Sequence, residues 1–191
     1  MTSSFLRVVL LVAGAAVAGA QTAPNAGPGS GLENSWEIKP VLEELSAHAG
    51  RLEVALDKLN PQAWLEKGAS DTYSAQLESS KQQARAVGSE AFALAGNPEK
   101  LSAALRVLFR IQGLEAMLGS LEEAVRRYQS PADAQALAQL AAEGGANRDR
   151  LQQYVVNLAA AREQDLAVMD KEAQRCRAMV TQTTPAKTRK K

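Results

Sequence analysis

His48 and Cys176 are the only histidine and the only cysteine of the 191-residue chain, so any imidazole or thiol chemistry must rest on them. Haem held without a covalent link needs axial ligands, and a histidine with a methionine serves in some cytochromes. Met117, Met169 and Met179 are available. Met169 lies on an apolar helical stripe, which makes His48 and Met169 the candidate cofactor-binding residues. A methionine at helical spacing is ordinarily core filler, and the attachment motif Cys-x-x-Cys-His is absent; no cofactor is expected. A di-iron bundle requires two Glu-x-x-His pairs on facing helices. Glu44 lies four residues before His48 and no second histidine exists, so no metal site is expected.

Cys176 could be a nucleophile only with a base beside it. It falls on an apolar stripe, which reads as a buried, inert thiol, with an intermolecular disulfide as the second reading. No glycine-rich loop after a strand offers a phosphate cradle. The carboxylates follow the charge pattern of solvated helix faces. No residue is expected to be catalytic, and the chain is not expected to be an enzyme.

Two further groups could bind something. Trp36, Trp64 and Tyr73 gather around one connection and could form a ligand or partner surface, or close the end of a bundle as large aromatics do. Lys187, Arg189, Lys190 and Lys191 end the chain and could touch an anionic surface, each cation contributing about 1 kcal/mol under salt screening. The alternative is a solubilising tail. A formal net charge of +1 argues against a nucleic-acid partner, which calls for a basic face.

The elements that must position these residues are helical. Aromatics make up 4% of the chain and hydrophobics 46%, mostly Ala, Leu and Val, a composition suited to packed helices. Leu42, Leu45, Ala49, Leu52, Leu56 and Leu59 form a heptad stripe on a first helix expected to start near Pro40, with Ile38 just outside it. Asn60-Pro61 reads as a cap followed by a helical first position, opening a short turn over 61–67 that ends at Gly68. A second long helix is expected over 71–95, capped by Ser70, with the stripe Tyr73, Leu77, Ser80, Ala84, Val87, Ala91 and Leu94. These side chains are small enough for a close neighbour. Gly96-Asn97-Pro98 should turn the chain into a third long helix over 98–129, completing an antiparallel hairpin. That helix carries Ala104, Val107, Ile111, Leu114, Leu118, Leu121 and Val125.

Ser130-Pro131-Ala132-Asp133 is a further helix start, and no proline follows until Pro185. A single helix from there to Val180 would be about 74 Å long at 1.5 Å per residue, well beyond its neighbours. The pair Gly144-Gly145 is therefore expected to break it into helices over 131–143 and 148–180. The second has the stripe Leu151, Val155, Leu158, Leu166, Met169, Ala173, Cys176 and Val180, interrupted by Arg162. The fold expected is all-α: an antiparallel four-helix bundle with one or two short extra helices and flexible N- and C-terminal tails. In architecture alone it resembles exported four-helix bundles that carry haem, whose axial-ligand pattern is not here.

The N-terminus reads as an address. Arg7, the apolar run Val8 to Val17 and the small residues Ala18-Gly19-Ala20 have the layout of a secretory signal peptide, and the run is too short to span a bilayer. The expected organisation is a signal peptide over 1–20, a flexible linker over 21–34, a bundle domain over 35–180 and a disordered basic tail over 181–191. No transmembrane segment is expected after cleavage. A lone cysteine provides no internal disulfide, so stability must come from the core of a body of about 150 residues.

Together these observations point to an exported, non-enzymatic helical bundle, periplasmic or secreted, with an interaction or structural role in the bacterial envelope. Its partner would be another protein or a second copy, with weak contact to an anionic surface as a supplement. The alternative is a periplasmic carrier of an apolar ligand or haem held between the helices.

Overall fold

A computed structural model describes residues 35–183, with side chains placed from 37 to 181. The expected signal peptide and linker, the side chain of Trp36, and Lys187, Arg189, Lys190 and Lys191 lie outside the described residues. Six helices and no strand occur among those described: α1 (Ser35–Leu56), α2 (Pro61–Leu65), α3 (Thr72–Ala95), α4 (Leu101–Tyr128), α5 (Pro131–Glu143) and α6 (Gly145–Thr183). α3 packs on α1 and α4, while α5 and α6 together form a fourth column against the same two helices. This is the antiparallel four-helix bundle, with α2 as a short extra piece and α5 as the upper part of the fourth column.

The stripes explain the packing. Leu42, Leu45, Ala49, Leu52 and Leu56 of α1 are buried, as are Leu77, Ser80, Ala84, Val87, Ala91 and Leu94 of α3. α1 and α3 make the most extensive contact of any pair. Small side chains permit it: a Cβ at Gly88 would stand 3.7 Å from that of Ala49, and Ser46 Oγ donates to Gly88 O at 2.8 Å. Buried Ser80 is satisfied within its own helix, donating to Gln76 O at 2.9 Å. On α4 the stripe from Ala104 to Val125 is buried as well.

The caps follow their residue types. Asn60 accepts from Ala63 N at 3.3 Å with Pro61 at the first helical position. Ser130 accepts from Ala132 N and Asp133 N ahead of α5. Gly68 takes φ +84°, a left-handed conformation that few other residues adopt without strain.

Two helix starts differ from expectation. α1 begins at Ser35 and contains Pro40. Extending it upstream buries Ile38 completely. That contributes about 1.5–3 kcal/mol, which offsets most of the roughly 3 kcal/mol that a proline costs inside a helix through its missing hydrogen bond and its clash with the preceding turn. α4 begins at Leu101 rather than Pro98. Lys100 N donates to Asn97 O at 3.4 Å, so Pro98 occupies the second position of a β-turn, where its fixed φ also fits.

The third difference concerns the last column. Gly144 separates α5 from α6, but with helical dihedrals (φ −74°, ψ −14°), and Arg148 N bonds to Gly144 O at 2.9 Å across the junction. α6 resumes at Gly145, three residues before the expected start at 148. The excess length is accommodated at the far end instead. Arg162 is half-buried and every described side chain from Glu163 to Thr181 is exposed. The packed body therefore ends near Arg162. The segment up to 183 projects past it as a helix about 31 Å long, so residues 181–183, expected in a disordered tail, are helical.

Candidate interaction surface

The mid-level of the core holds the single histidine. His48 of α1 is 7% exposed. Its Nε2 lies 2.8 Å from Leu140 O of α5; a carbonyl only accepts, so Nε2 donates. The ring then lies directly against Gly144. A Cβ there would meet His48 Cε1 at 2.6 Å and Nδ1 at 2.7 Å. Gly144 is thus a steric requirement of the histidine more than a helix breaker. One turn further on, Arg148 stands where the seam of α5 continues into α6. Its Nη1 donates to both carboxylate oxygens of Glu115 on α4, at 3.0 and 2.8 Å. Asp149 first, and Glu115 second, hold this guanidinium above the ordinary arginine value. A charge on the line of the seam is thus accommodated by a carboxylate on the facing helix.

A cavity of about 20 Å³ lies beside His48, lined among others by Leu52, Ile111, Glu115 and Gly144. It has room for one water molecule, and a haem there would require the helices to separate. Met169 is about 36 Å further along α6 from Gly145, so His48 and Met169 cannot hold one iron atom together. No three His, Cys, Asp or Glu side chains come together as a metal site among the described residues.

The aromatic group closes the other end of the body. Trp64 is 1% exposed and donates through Nε1 to Gln129 Oε1 at 3.1 Å. Tyr73 stacks edge-on against it at 6.3 Å and meets Tyr128 at the same distance. Lys67 Nζ ties α2's exit to Tyr128 O. Trp64 is a plug and offers no surface to a partner. Tyr73 is half-buried behind it.

The remaining candidate surface is the projecting part of α6. Arg162 marks its root, bonded through Nη2 to Glu99 in the α3–α4 turn at 3.2 Å. Beyond it Leu166 is 65% exposed and Met169 67%. Cys176 is exposed as well, which corrects the expectation of a buried thiol. The stripe was legible in the sequence; the end of the body beneath it was not, because nothing local distinguishes a stripe that is covered from one that is not. No helix among the described residues is long and apolar enough to cross a membrane.

Helix order, packing and surface define this chain as an all-α bundle protein whose last helix overhangs its body. No protein-family model, curated protein or solved structure matches it.

Proposed function

We propose that this is an exported, non-enzymatic interaction protein: a four-helix body that carries the overhanging part of α6 as its contact arm, working in the bacterial envelope or outside the cell. The observation that carries this reading is the arm itself. Leu166, Met169, Ala173 and Cys176 repeat at heptad spacing on a helix whose every described side chain from Glu163 to Thr181 is exposed. Freestanding helices gain most of their stability by packing an amphipathic face, so an arm of this kind is built to be covered. Export is supported by the charged, apolar and small-residue segments that succeed one another over 1–20. The basic residues 187–191 would supplement the contact at an anionic surface.

The test is a photo-crosslinking amino acid placed at Met169 on the arm and, as a control, at Gln152, exposed on α6 within the body. In the producing cells Met169 yields a defined adduct and Gln152 does not. Absence of an adduct from Met169, or equal adducts from both positions, refutes the reading.

A further inference from the structure

We infer that the arm pairs with the same segment of a second copy of this chain, antiparallel, as a two-stranded coiled coil about three heptads long. This rests on the arm reading above and names its partner. Leu166, Met169, Ala173, Cys176 and Val180 are spaced 3, 4, 3 and 4, the seam of a coiled coil. Wound at 3.6 residues per turn, their mean direction lies about 30° from that of Leu151 and Leu158, which are buried in the body, with Leu166 furthest off at about 70°. One apolar face thus runs past the point where α1 and α4 stop covering it.

Charge selects the partner and its direction. With Leu166, Ala173 and Val180 at a and Met169 and Cys176 at d, the flanking positions are Glu163, Asp165, Asp170, Glu172, Arg177 and Met179. These positions are acidic up to Glu172 and carry one cation, Arg177, beyond it, so Asp170 and Arg177 complement each other when the arm is reversed. If Ala173 packs opposite the partner's Cys176, Asp170 lies beside the partner's Arg177, and the two-fold axis makes this pair twice. A parallel pair in register would also bring Glu172 beside Arg177, but would set Asp165 against Asp170 on both sides.

Length agrees. In the antiparallel register Thr183 of one helix falls opposite Leu166 of the other, four residues short of Arg162 where the body ends. The two bodies sit at opposite ends of the pair, their Arg162 roots about 38 Å apart along the axis. The exposed arm is thus as long as the pairing needs. Its own ion pair and amide contact, Arg175–Glu172 and Gln174–Asp170, lie within one helix and leave the seam open.

The test is sedimentation of the chain purified from its producing cells, with charge variants. The wild type sediments as a dimer, and Met169→Asp as a monomer whose body melts at the wild-type temperature. Asp170→Arg and Arg177→Asp each weaken the dimer by about tenfold, and the double exchange restores it. A short bismaleimide joins Cys176 to its counterpart, about 4.5 Å away along the axis. Leu166→Cys combined with Cys176→Ser does not crosslink, since the two thiols would be about 25 Å apart. Strengthening by Asp170→Arg, or a Leu166→Cys crosslink, indicates a parallel pair and overturns the proposal. So does a wild-type monomer, including one that sediments with anionic vesicles. If that monomer still gives a heterologous adduct at Met169 in cells, self-pairing fails and the arm reading stands. If it gives none, both fail.

Discussion

Two adjacent glycines should respond to alanine with opposite signs. At Gly144 a methyl group would stand 2.6 and 2.7 Å from two atoms of the His48 ring, about 1 Å closer than ordinary contact. The ring is fixed by its 2.8 Å bond to Leu140 O and by its burial, so relief requires breaking that bond or parting α1 from the fourth column. Alanine gains about 1 kcal/mol over glycine in a helix. Against this stand about 1 kcal/mol for the hydrogen bond and about 1–3 kcal/mol for overpacking. Gly144→Ala is therefore destabilised by about 1–3 kcal/mol, a fall in Tm of roughly 2–12 °C for a body of this size. At Gly145 nothing lies within 4 Å of the added methyl, and Gly145→Ala should gain up to about 1 kcal/mol. Thermal and urea unfolding of both variants measure the contrast. In a His48→Ala background Gly144→Ala should no longer be harmful, a coupling read from the double-mutant cycle. A Gly144→Ala protein as stable as Gly145→Ala would refute the reasoning.

Other outcomes follow from the same contacts. Trp64→Ala should cost about 3–5 kcal/mol, measured by denaturant unfolding, because it empties the plug at the α2 end. The Lys81 amine is held above its ordinary value of 10.5, first by its hydrogen bond to Asp57 and opposed by partial desolvation. A pKa raised on folding means that the stabilisation is complete below the ordinary value and is lost as pH rises through the raised one. With Asp57 half exposed the effect is less than about 1 kcal/mol, visible as an alkaline decline in stability that Lys81→Met abolishes. Intact mass of the chain recovered from its producing cells should correspond to a start at Gln21; retention of residues 1–20 would remove the export reading.

The stripes on α1, α3 and α4 were legible because each records its burial in its own residues, and the Asn60 and Ser130 caps because they act within one turn. Pro40 and Pro98 misled for a common reason: proline suits a helix start, but also a β-turn and, where a neighbour such as Ile38 gains a core site, an early helix position. The role of Gly144 could not be read locally, since it is set by a ring 96 residues away in sequence. The same holds in part for Arg148, whose charge is met by Glu115 on α4 as well as by its neighbour Asp149. The apolar positions of the arm were found, while their exposure depended on where α1 and α4 end relative to α6.

The central claim is that the arm is covered in the working protein, and amide hydrogen exchange over 163–183 tests it most directly. In protein isolated gently from its producing cells, these amides should exchange slowly. In Met169→Asp they should exchange fast, with the body amides of α1, α3 and α4 unchanged between the two. Equally fast exchange over 163–183 in both proteins would show an arm that nothing covers and would contradict the account.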